Sequence, residues 1–166
     1  MRRKIRQYVG LLAAVGVYYA VHEGAHLVYA LMRGVFKGIH FMGLGMQIDI
    51  YAEKLTAEEM GMFCILGSAA TLIVAYALVF LTERIVSVSS KVFGACAYYV
   101  TLALLVLDPL YLSVLYGFFG GGDMNGIANL IPEVAARSIY GAILLINLVL
   151  FWKILLPKYK RMFEKR

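Results

Sequence analysis

Four apolar runs govern what this chain can fold into: Tyr8 to Met32, Met60 to Leu81, Val92 to about Phe119, and Val134 to Leu156. A helix rises about 1.5 Å per residue and the hydrocarbon core of a bilayer is about 30 Å thick, so roughly 20 apolar residues cross it. All four runs reach that length. A soluble domain of 166 residues could not bury so much apolar surface, since 62% of the residues are hydrophobic and only 16% charged, with a mean hydropathy of +0.78. The expected fold is an all-α membrane protein, with about four transmembrane helices and the lipid bilayer as solvent. It forms a single domain over residues 1–166, with no internal repeat and no second soluble domain.

The net charge of +6 could in another chain point to nucleic acid. Here most of the basic residues sit at the two ends: Arg2, Arg3, Lys4 and Arg6 before the first run, and Lys153, Lys158, Lys160, Arg161, Lys165 and Arg166 at the close of the last. The positive-inside rule places both ends in the cytoplasm, a parity that four spans require. The charge is a topology signal, and no nucleic-acid partner is expected. A basic start followed by an apolar stretch also resembles a signal peptide, but the apolar run continues to Met32 and reads as a retained helix. A prokaryotic cell membrane is the simplest compartment for so compact a chain. Cys64 and Cys96 lie inside apolar segments without metal-ligand spacing and are expected in the core.

Between the first two runs, residues 34–55 change character. Gly34, Gly38, Gly43 and Gly45 punctuate the segment, and Met46 to Tyr51 alternates apolar and polar residues, the pattern of a short strand or hairpin. Thr56 and Glu59 form a capping-box pattern ahead of the second helix. The connection from Thr82 to Lys91 reads as a short turn. Pro109 should kink or end the third helix, and Pro157 should stop the fourth, which Pro132 begins. Gly120, Gly121 and Gly122 mark flexible backbone just before Asp123.

The chemistry is carried by His22-Glu23-Gly24-Ala25-His26, a complete HExxH on a predicted helix. Residues four apart share a helix face, so both imidazoles can reach one ion while Glu23 lies beside it. Two neutral histidines and a third ligand would hold Zn2+, leaving an open position for water, and the carboxylate would take that water's proton. Each ionisable group inside a span costs on the order of 2 kcal/mol or more without a partner, which favours a metal site over a chance match. The third ligand must come from the same depth. Counted from Tyr8 and Val92, His22 and Asp108 are about 21 Å and 24 Å into their helices. Asp123 follows in the outer connection, so Asp108 and Asp123 are both admissible. Asp123 is preferred, because the preceding glycines let the loop approach the metal. His40 is expected to be exposed, Glu53 and Glu58 solvated, and the many tyrosines, Tyr18 and Tyr111 among them, to serve packing or interfaces.

These residues resemble the site-2 protease family of intramembrane zinc metalloproteases. Gly122-Asp123-Met124-Asn125-Gly126-Ile127 is similar to the family's second motif, in which an aspartate at a loop-to-helix junction is the third ligand. Gly67-Ser68-Ala69-Ala70-Thr71 is similar to its glycine-proline-x-x-asparagine element, with Ser68 in place of the proline and Thr71 in place of the asparagine. Methionine follows Asp123 where the family commonly has glycine. The resemblance implies Glu23 as the catalytic residue and His22, His26 and Asp123 as zinc ligands. It also implies a membrane-protein substrate cut in or near its transmembrane segment, with Met46 to Tyr51 as a strand for that substrate to join. Asn125 or Asn129 is the expected substitute for the missing asparagine. A regulatory membrane partner would fit a chain with no accessory domain. The competing expectations are a metalloprotease with a glutamate third ligand, Glu83 or Glu133, and a non-catalytic metal-binding regulator or scaffold.

Overall fold

The computed structural model describes residues 3–42 and 45–164. Gly43, one of the glycines punctuating the strand-like segment, and the basic residues Arg2, Lys165 and Arg166 lie outside the described residues. The elements are α1 (Arg3–Met32), β1 (Phe36–Met42), β2 (Gly45–Ile50), α2 (Ala57–Phe80), α3 (Thr82–Ser87), α4 (Lys91–Phe119), α5 (Asp123–Ile127) and α6 (Glu133–Glu164). Among the described residues, α1, α2, α4 and α6 are the four helices long and apolar enough to cross a membrane. Their outward faces carry Leu12, Ile73, Leu145 and Trp152 in exposed positions.

Local chemistry sets several boundaries. Thr56 Oγ1 accepts from the Glu59 amide while the Glu59 carboxylate accepts from the Thr56 amide, the reciprocal cap that starts α2. β1 and β2 pair antiparallel, with Ile39 opposite Ile48 and His40 opposite Gln47. The segment after the second span is a short helix, α3, where the sequence suggested only a turn. After α4, Gly120, Gly121 and Gly122 all have φ near +60° to +70°, a run of left-handed backbone that a side chain would strain.

Neither internal proline ends its helix: the stop expected at Pro157 needs correcting, and of the kink or end expected at Pro109 the end does not occur. In α4 the missing amide of Pro109 leaves the Leu105 carbonyl without its helical donor. Asn147 Nδ2, from α6, donates to that carbonyl at 2.7 Å, and Asn147 Oδ1 accepts from Tyr76 at 2.9 Å. A π-helical turn at Tyr111–Leu115 then carries the helix on to Phe119. Ahead of Pro157 a second π-helical turn, Phe151–Leu155, closed by the Leu156 amide on the Phe151 carbonyl, lets α6 run to Glu164. The extra residue in such a turn shifts the carbonyl that the proline ring would otherwise strike.

Asn147 is fully buried, so its replacement by leucine strands two polar groups at once. Asn147→Leu should cost about 1–3 kcal/mol, read as a lower melting temperature in detergent. Adding Pro109→Ala should recover much of that loss, since alanine restores the amide that Asn147 replaces. A double variant no more stable than the single one would show that Asn147 acts by packing alone.

The interior is layered. One apolar cluster includes Ala30, Phe63, Cys64 and Leu112; the other includes Ala14, Ala75, Leu104 and Leu105. On α1, α2 and α4 alike, a set of buried polar residues falls between these positions: His22, Glu23 and His26; Ser68 and Thr71; Asp108; Thr101 is buried further along α4. The hairpin and the α4–α6 connection close one end of the bundle. At the other end the start of α1 and the connection through α3 meet the end of α6, where Lys158 pairs with Glu83 at 2.7 Å.

Candidate metal centre

The polar layer is assembled by helical spacing and then by long-range contact. Tyr18, His22 and His26 stand four apart on α1, so their rings line one face, Tyr18 stacked on His22 and His22 edge-on to His26. α5 brings Asp123 to this face. Asp123 Oδ2 lies 3.1 Å from His22 Nε2 and 3.5 Å from His26 Nε2. The three residues offer ligand atoms all within 4.8 Å of one another. Two imidazoles and a carboxylate gathered in this way could hold a metal ion.

Gly67 on α2 is the wall behind the two imidazoles. A Cβ there would sit 2.5 Å from His26 Nε2 and 2.7 Å from His22 Nε2, so only glycine lets α2 pass this closely. Asp123 is the first residue of α5, and its carboxylate faces the histidines. Burial works to raise the Asp123 pKa, but hydrogen bonding to His22 and His26 and their charge outweigh it and hold the group at about 2.

Asp108 is placed on the far side of His22. Its Oδ2 lies 3.2 Å from His22 Nδ1, and it accepts hydrogen bonds from Tyr18 on Oδ1 and Thr71 on Oδ2, both at 2.5 Å. A carboxylate on Nδ1 holds the proton there and turns the Nε2 lone pair toward Asp123 and the ligand cluster. Of the two aspartates left open by the sequence, Asp123 joins the ligand cluster and Asp108 orients one member of it. His26 Nδ1 is buried and has no hydrogen-bond partner among the described residues, so the two histidines are held unequally.

Glu23 is buried beside His22, and its Oε2 accepts from the Ile48 amide of β2 at 3.1 Å. That amide therefore points away from β1, and β2 lies over the site with its unpaired edge toward α1. A cavity of about 540 Å³ opens between them, bounded by His22, Glu23, His26, Asp108, Asp123 and residues 45–48.

Other candidates fall elsewhere. Asn125, on the outward side of α5, and Asn129, in the turn after it, are exposed and line no part of this cavity; Asn125 accepts instead from Tyr116. His40 is exposed on β1 and faces Asp49. Glu83 pairs with Lys158 at the opposite end and Glu133 with Arg137, so neither is near the histidines. Cys64 is buried and packs against Gly126. Tyr18 and Tyr111, read from sequence as packing residues, both line the cavity, and Tyr111 also ties down the Gly120 carbonyl at 2.8 Å. The signal for Tyr18 was available in its four-residue offset from His22; Thr71 was marked only by its place in the Gly67–Thr71 element, not as a partner of Asp108, and nothing local marked the Ile48 amide. Comparison of the chain with family models, curated proteins and solved structures finds no match.

Proposed function

We propose that this chain is an integral membrane zinc metalloprotease of the kind the site-2 protease family represents, cutting a peptide bond in or beside a substrate's transmembrane segment. The observation that carries the reading is the convergence of His22 Nε2, His26 Nε2 and Asp123 Oδ2, with Glu23 alongside, inside a buried layer between apolar ones. In this reading the four long helices span the bilayer, with both termini in the cytoplasm of a prokaryotic cell.

A zinc ion held by these three residues would supply Lewis acidity and lower the pKa of a bound water to about 7. The chain's own groups have separable tasks. Glu23 takes the proton of the attacking water on a carboxylate oxygen and delivers it to the nitrogen of the leaving amine. Asp108, held by Tyr18 and Thr71, keeps the His22 proton on Nδ1 throughout. A helical substrate conceals its carbonyls in internal hydrogen bonds and must become extended first. The unpaired edge of β2 suits an extended segment, which would join it as an added strand.

Metal content tests the site. Elemental analysis of detergent-purified protein should find near-stoichiometric zinc in the wild type and none in His22→Ala or Asp123→Ala. Asp108→Ala should still bind zinc, with affinity lower by about 10- to 100-fold, as for loss of an orienting carboxylate. A wild type without zinc after metal-replete purification would sink the proposal and favour a scaffold or regulator.

A further inference from the structure

A second cavity, of about 480 Å³, lies at the end of the bundle where the chain termini meet, between α1, α4 and α6. Its rim carries Arg3 and Arg6 from the first turns of α1 and Lys160 from the last turns of α6; its wall is built from Tyr98, Tyr99 and Tyr159. The tyrosines form one cluster, with Tyr98 edge-on to both Tyr99 and Tyr159 at 5.2 Å between ring centroids. Arg6 lies over the Phe163 ring, 5.8 Å from its centroid, which fixes its direction without neutralising its charge. The one acid on the rim, Glu164, is 3.9 Å from Lys160, and neither arginine is in an ion pair with a described residue. The cavity therefore has more positive charge than its own carboxylate can balance.

We infer that this cavity is a binding site for a phosphate-bearing anion. Guanidinium groups present forked donors that match phosphate oxygens, the lysine adds a point charge, and the ring wall gives the rest of the ligand an apolar seat. Two sources have that chemistry. One is the headgroup of an anionic phospholipid, which basic pockets at helix ends take from the cytoplasmic leaflet; this source rests on the reading that the four helices span a bilayer. The other is a small soluble phosphate compound, which needs no bilayer. The site is independent of the metal centre and requires neither zinc nor hydrolysis.

The test is intact-protein mass spectrometry of the full chain in uncharged detergent, counting bound phosphatidylglycerol against phosphatidylcholine. Phosphatidylglycerol should be retained about tenfold better, and Arg6→Gln and Lys160→Gln should each weaken retention about fivefold, the effect of one surface charge. Arg84→Gln, away from the cavity, should retain it as the wild type does, and Arg6→Lys, which keeps the charge but loses the fork, should fall between the wild type and Arg6→Gln. Lys160 is exposed, so its substitution leaves the core intact, and an unchanged melting temperature verifies this. Inorganic phosphate at millimolar concentration identifies the source: displacement of the lipid means the phosphate alone suffices, and persistence of the lipid means the headgroup is required. Equal retention of the two lipids with no binding of inorganic phosphate overturns the inference, as does selectivity that survives in an Arg3→Gln, Arg6→Gln, Lys160→Gln triple variant.

Discussion

Glu23→Gln should hold its full complement of zinc and lose about three orders of magnitude in turnover, within the range that a positioned general base contributes. Glutamine keeps the side chain's length and can still accept from the Ile48 amide through its carbonyl oxygen, so β2 stays over the site. The lost property is proton acceptance. Cleavage of a labelled, unstructured polypeptide in detergent measures the effect, with elemental analysis of the same preparation as the control. If the variant cleaves within about tenfold of the wild type, Glu23 is no general base, and the mechanism drawn through it falls even where zinc is present.

Gly67→Ala should do as much damage through geometry. The added methyl would occupy the space of His26 Nε2 and His22 Nε2, so both imidazoles must swing away or α2 must retreat. A displacement of about 1 Å at a reacting centre costs on the order of 100-fold, and here two ligand atoms are displaced together. Zinc affinity should fall at least that far, and activity with it. Gly24→Ala is the matched control: it lies between the two histidines on α1, yet a Cβ there meets nothing within 4 Å. Zinc content near the wild-type level in Gly67→Ala would mean that the two helices are not packed through this glycine in solution.

The residues read most securely from sequence are those whose relationship is local. The histidines of HExxH share a face because four residues make about one turn, and Glu23 lies beside them for the same reason. The Thr56–Glu59 cap and the hairpin of residues 36–50 are likewise written in spacings of a few residues. A helix end at Pro109 or Pro157 was misjudged because sequence displays the missing amide but not what accommodates it. Pro109 is accommodated by Asn147, on another helix, and the π-helical turns have no marker in the sequence at all. Tyr18 was passed over because tyrosine has an ordinary explanation at a membrane interface, and its bond to Asp108 crosses 90 positions of chain.

The amino-acid sequence determined the number of the apolar helices and the HExxH face, since burial preference and helical period act over one to a few turns. It left Asp108 and Asp123 both open as partners of that face. Only the tertiary structure separated them, by setting α5 against the Nε2 atoms and α4 against Nδ1 of His22. The same packing laid the Ile48 amide on Glu23 and put Gly67 behind the imidazoles. Hydrogen bonds and steric contacts act over about 3 Å between groups as far apart in the chain as His22 and Asp123, and which groups meet is decided by how whole helices pack.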